Sequence, residues 1–386
     1  MRFAGWKGSS VHTSSERLLR LQRFVDADPA NLPLVCEFID AAVAEGALAL
    51  AAERLAASRL SDPSSVALRF REASLALAKG EFENSEKTLE NMLSEGHDDP
   101  VLRHNLALAR FCRGDAQAAL ATLEPAFGAL EQHPPLARLL ARVLHRLGRR
   151  NDALTALSDR LGADAQDAEA RGFAALVFHE GGDLDSARGA SAAALELDPM
   201  QHEALLVAAT LRLDAGDAPG AEPFVRRLLG SHANSAHAWF AAAQLALLKL
   251  QLELAEEALG RAAALMPTHD RVWTFGAWCA LGRGDVAVAE TRIAAGVEAG
   301  ADPAELAALR ALAAALQGET PAVPADVPAG HPTRALIEAL VAHRAGDAEA
   351  LPRTTQRLLD ARPGPDAPTF RELFARVLAA RAGAKA

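Results

Sequence analysis

Tyrosine is missing from this 386-residue chain altogether, and aromatic residues make up only 5% of it although half of all residues are hydrophobic. A core of that composition is filled by alanine and leucine, which suits helices packed at close range rather than the aromatic-rich, loop-rich interior of a globular enzyme. Lysine is nearly absent too: 35 of the 40 basic residues are arginine, set against 50 carboxylates, and the net charge is −10. Without a basic field or a basic run to draw in phosphate backbones, nucleic acid is not an expected partner. The Arg-over-Lys, Ala-rich bias fits a GC-rich, bacterial genome.

Cysteine is scarce. Cys36, Cys112 and Cys279 are odd in number and far apart, which makes neither a disulfide framework nor a zinc motif, so all three are expected to be reduced and buried. No apolar run approaches the roughly 18 residues of a membrane span, and the opening Met1 to Thr13 lacks the apolar centre of a signal peptide. A soluble, cytoplasmic protein without membrane insertion is the expectation. The motifs that cradle phosphate, position a nucleophile or hold a metal (GxSxG, GxxxxGK[ST], GxGxxG, HExxH, CxxC) are all missing. His179-Glu180 and His202-Glu203 are adjacent pairs that a helix turns about 100° apart. No catalytic residue, cofactor or metal is therefore assigned, and the chain is not expected to be an enzyme.

What the chain does have is a step. Gly46, Gly80, Gly114, Gly148, Gly182, Gly216, Gly284 and Gly318 are spaced by 34 residues or twice that, with Leu250 as the one exception. Such a unit cannot bury its apolar face alone and must stack on its neighbours. Five residues after each glycine comes a very small residue: Ala51, Ser85, Ala119, Ala153, Ala187, Ala221, Ala255 and Ala289. Seven residues before it the series Ala73, Ala107, Ala141, Ala175, Ala209, Ala243, Ala277 and Ala311 follows an initial Ile39. Small residues at both places imply two helices in close contact. Leu55, Leu89, Leu123, Leu157, Ser191, Val225, Leu259 and Ile293 add a ridge to the second helix. Each unit reads as helix, glycine turn and helix, with Asp183, Asp217 and Asp285 capping second helices and Pro29, Pro63, Pro199 and Pro267 ending units.

The groups Trp239, Ala243, Leu250, Ala255, Ala262, Pro267 and Ala175, Gly182, Ala187, Ala194, Pro199 resemble the tetratricopeptide repeat pattern, over nearly the whole chain. The resemblance implies an all-α, right-handed superhelical solenoid of antiparallel helix pairs with helical caps, and a role in protein–protein association. Residues 1–28 are read as a tail and a capping helix, with Leu18, Leu19, Leu21, Phe24 and Val25 on one stripe. Residues 29–318 are the tandem repeats, 319–331 a proline-rich interruption, and 332–386 a last pair followed by a capping helix from Phe370 to Arg381. An alternative for the tail is a docking or homodimerisation element.

The resemblance also implies that certain first-helix positions line a concave groove: Phe70, His104, Leu108, Phe111, Arg138, Arg142, His145, Arg146, Leu176, His179, Leu206, Phe240, Gln244, Leu247 and Trp278. Arg138, Arg142 and Arg146 share one helix face, and the like charges are explained by an anionic ligand or by carboxylates of adjacent helices. Asn105 matches one part of the family's carboxylate clamp while His104 and Leu108 depart from it, so that clamp is at best partial. The apolar positions suit an amphipathic helix or extended peptide with acidic and apolar residues, or else pack between repeats. Trp278 and Phe240 are the expected anchors. The function expected is a non-enzymatic scaffold, adaptor or assembly chaperone holding a peptide or helix. The alternative is a regulatory or substrate-recruiting subunit of an enzyme, such as a transferase, carried on another chain.

Overall fold

The computed structural model describes residues 16–322, 325, 327 and 332–360. The expected opening tail, Pro363 and the helix expected from Phe370 lie outside the described residues. Among those described there are 20 α-helices in consecutive packed pairs and no strand. The contacts divide the chain into two compact units between Val177 and Phe178.

The first unit holds α1 (Glu16–Ala27), α2 (Leu32–Ala44), α3 (Leu48–Ser61), α4 (Val66–Lys79), α5 (Phe82–Ser94), α6 (Pro100–Cys112), α7 (Ala116–Leu123), α8 (Pro134–Arg146) and α9 (Arg150–Ala163). The division falls within α10 (Ala168–Glu180). The second unit continues with α11 (Leu184–Leu197), α12 (His202–Asp214), α13 (Ala218–Ser231), α14 (Ala236–Leu248), α15 (Leu252–Leu265), α16 (Asp270–Arg283), α17 (Val286–Glu298), α18 (Pro303–Gln317), α19 (Pro332–Arg344) and α20 (Ala350–Asp360). First helices also touch one another across repeats, α2 with α4, α4 with α6 and α6 with α8. Their facing sides therefore share one surface.

Every position of the small-residue series after the glycine is 0% exposed, from Ala51 to Ala289. The earlier series, Ile39 to Ala277, is equally buried. These sites have no room for a longer side chain, which is why the chain spends alanine there. Asp115, Asp183, Asp217 and Asp285 accept hydrogen bonds from the amides of Ala118, Ser186, Gly220 and Val288 at 2.8–3.1 Å, satisfying donors that the first turn of each second helix leaves open. In α1 the buried stripe is Leu18, Leu21 and Val25, while Leu19 and Phe24 face solvent, so the expected stripe narrows to an i, i+3, i+7 line. Cys36 and Cys279 are buried as expected, but Cys112, at the last turn of α6, is exposed. Burial pushes the Cys279 thiol up to about 12.

The turn glycines take φ between 72° and 109°. Leu250 stands in their place at φ 57°, the one non-glycine residue with positive φ among the described residues. A Cβ in that region costs on the order of 1 kcal/mol. Leu250→Gly is therefore expected to raise stability by about 1 kcal/mol, read as a higher thermal midpoint; an unchanged or lower midpoint contradicts it. Ser85 is the other departure, since its fully buried hydroxyl makes no hydrogen bond within the described residues. Ser85→Ala restores the residue found at the other seven sites and is expected to gain about 1 kcal/mol in urea unfolding.

One second helix is cut short. α7 ends after 8 residues, whereas α5 and α9 run for 13 and 14. Pro125 has no amide to continue the ladder and its ring crowds the preceding turn, so the chain passes into a 3₁₀ segment, Glu124–Ala129. After α18 the proline-rich stretch brings the chain to α19, which packs against α18 and α20 and buries Leu336, Ile337 and Leu340.

Candidate functional site on the first helices

In the first unit, α4, α6 and α8 bring several of the expected residues onto their shared side. Phe70, His104, Leu108 and Phe111 are half-buried, as are Arg138, Arg142 and His145, while Arg146 is exposed. A polar ladder crosses from α4 to α6. The Ser74 hydroxyl donates to the Phe70 carbonyl at 3.0 Å, the Asn105 amide donates to Ser74 Oγ at 3.1 Å, and His104 Nδ1 lies 3.0 Å from Asn105 Oδ1. Asn105 is thus held by its own neighbours rather than offered as a clamp. Burial lowers the pKa of His104, against an opposing hydrogen bond in which Asn105 Oδ1 accepts, and the charge of Arg138 lowers it further.

The three arginines of α8 have three different surroundings. Arg138 pairs with Asp167 at 3.0 Å and Glu169 at 2.9 Å, so adjacent carboxylates neutralise it. Asp167 is itself buried and also accepts from Arg160 at 2.7 Å and from the Ala170 amide at 2.9 Å. Arg142 lies over the Phe173 ring, 4.5 Å from its centroid, and His145 meets the same ring edge-on at 5.6 Å. Arg146 is exposed one turn further along and forms no ion pair among the described residues. Leu176 is half-buried on α10.

In the second unit the expected lining is closed. Phe240, Gln244, Leu247 and Trp278 are all 7% exposed or less, so they are core residues and not accessible anchors. Phe240 packs on His269 at 5.0 Å and edge-on to Phe275 at 5.2 Å, with the Arg271 guanidinium over its ring. The physical reason is visible in the segments themselves: the stretches 238–247 of α14 and 274–282 of α16 carry no charged residue and are buried throughout. His179 Nε2 lies 3.9 Å from Asp214 Oδ2, and Leu206 is half-buried. The consensus aromatics Trp239 and Trp273 each donate the indole N–H to a carbonyl six residues earlier, Ala233 and Pro267, tying a helix to its preceding turn.

For Arg138 the expected alternative of carboxylates from an adjacent helix holds, but sequence reasoning did not name Asp167 and Glu169. The available signal was Asp167 at an N-cap position three residues before Ala170, with Glu169 in the first turn.

A family model described as tetratricopeptide repeat matches residues 113–177. Among solved structures, a human IFIT1 dimer with m7Gppp-AAAA matches with a TM-score of 0.53 at 12% identity, over 90% of this chain and 86% of that one. An IFIT1 monomeric mutant with Gppp-AAAA matches at 0.52 and 12% identity over 97% and 96%. A tetratricopeptide repeat protein from Parabacteroides merdae is 20% identical with a TM-score of 0.40, over 65% of this chain and 95% of that one. No curated protein matches the chain in sequence. At such identities the likeness is one of fold.

Proposed function

We propose that this chain, whose residues 113–177 match a tetratricopeptide repeat model, is a non-enzymatic adaptor or assembly chaperone that holds an acidic, partly apolar segment of a protein partner against α4, α6 and α8. One observation carries this reading: Arg146 is exposed on α8 and forms no ion pair among the described residues, while half-buried Phe70, Leu108 and Phe111 stand on α4 and α6, the first helices packed in series with α8. Arginine binds carboxylates in a planar, two-bond geometry, and apolar side chains that keep part of their surface in water gain from covering it. Arg138 is not counted among the recognition residues, because Asp167 and Glu169 already occupy it. The anchors Phe240 and Trp278 drop out for the same kind of reason, being buried.

The test is a peptide-display selection on the full-length protein, followed by affinity measurement of the best sequences. Peptides interleaving Asp or Glu with Leu or Phe should be enriched, and Arg146→Glu should weaken them at least about tenfold. A selection without acidic bias, or affinities indifferent to Arg146→Glu, overturns the reading. Affinity purification from the native cell then identifies the partner.

A further inference from the structure

The proline that shortens α7 leaves a cavity of about 830 Å³ between the 3₁₀ segment, α8 and α9, in the first unit. Its floor is apolar, formed by Leu120, Leu140 and Leu144, with Phe127 and Leu130 at the side. Phe127 is exposed and Leu130 half-buried. The rim is charged, but its two arginines are already engaged: Arg149 with Asp152 at 2.7 Å, and Arg160 with Asp164 and Asp167 at 2.7 Å. Glu124, Glu131 and Asp159 also line the rim, and they form no ion pair among the described residues. An apolar trough edged by three carboxylates without an ion pair among the described residues fits a cationic amphipathic helix.

The chain's own sequence contains such a segment. Residues 370–386 carry Phe370, Leu373, Phe374, Val377 and Leu378 at helical spacing, flanked by Arg371 and Arg376 and followed by Arg381 and Lys385, with Glu372 the single carboxylate. Before them comes a stretch from residue 361 to 369 with Pro363, Pro365 and Pro368, which favours an extended spacer reaching up to about 30 Å. The geometry points to residues 370–386 of a second copy of this chain as the occupant of the cavity beside the 3₁₀ segment. Apolar residues enter the trough, and the arginines meet Glu124, Glu131 and Asp159. Because each copy owns one seat and one tail, the exchange closes as a symmetric dimer.

Light scattering on the full-length protein across a dilution series tests this. A concentration-dependent dimer is expected. The triple variant Glu124→Lys, Glu131→Lys, Asp159→Lys should raise its dissociation constant at least about tenfold, and so should Arg371→Glu with Arg376→Glu. All five positions are used together as the decisive arm: combining the two charge reversals should restore dimerisation, which mere unfolding of either parent cannot do. A synthetic peptide of residues 366–386 added to the wild-type protein should dissociate the dimer. A monomer at every concentration, a dimer indifferent to both reversals, or a combined variant that is not rescued overturns the proposal. Circular dichroism of each variant separates loss of the dimer from loss of helix.

Discussion

Asp167→Ala is expected to lower unfolding free energy by about 3–5 kcal/mol, because it leaves the buried Arg160 guanidinium facing Asp164 alone and takes one of two carboxylates from Arg138. The same substitution removes the acceptor for the Ala170 amide at the start of α10. Urea unfolding measures the loss, and hydrogen exchange should show it concentrated in α8 to α10, since a repeat stack couples each unit mainly to its neighbours. A loss under 1 kcal/mol would mean the network is relaxed by solvent. The pH dependence has a definite sign. Burial on its own would raise the Asp167 pKa, but the bond from Arg160, the Ala170 amide and the charge of Arg138 outweigh it and hold it below 3.8. A depressed carboxyl contributes its stability in full above the unfolded value and loses it as pH falls through the folded one. The gap between wild type and Asp167→Ala should therefore be constant near neutrality and narrow only below about pH 3.8.

Ala153→Leu is the second large effect. Ala153 is fully buried on α9 where it packs on α8, and three added carbons have no space without shifting one helix off the other. The expected cost is about 3 kcal/mol. Helix propensity does not account for it, as leucine is nearly as good a helix former as alanine. Ala156 supplies the control: it lies three residues on, half-buried in the wall of the cavity beside the 3₁₀ segment, where a larger side chain has room. Ala156→Leu should cost under about 1 kcal/mol. Equal losses at the two positions would remove the close-packing argument for the whole alanine series.

Both effects bear on what could be read in advance. The alanine series, the left-handed turn glycines and the aspartate caps were legible because each follows from local rules. A fixed step sets which residue meets which neighbour, positive φ demands glycine, and an open amide demands an acceptor. Leu250 shows how strong the rule is, since the turn keeps its left-handed conformation even where glycine is absent. The groove was legible only as a set of positions. Half of its outcome depended on neighbours from other repeats: Asp167 and Glu169 claimed Arg138, and the apolar surroundings of α14 and α16 swallowed Phe240, Gln244, Leu247 and Trp278. The cavity was hidden altogether, because the spacing from Gly114 to Gly148 stays at 34 while Pro125 ends α7 inside it, and Pro223 sits within α13 without ending it.

For this protein, then, the order of residues alone determined a stack of helix pairs and the places where backbones come close, since those depend on conformational preferences and periodicity within each unit. Which arginine is still open to a ligand, which aromatic is sealed, and where a shortened helix leaves room were decided by the tertiary structure. Burial and charge pairing belong to the surroundings of a side chain, and those surroundings are assembled from residues a full repeat or more away along the chain.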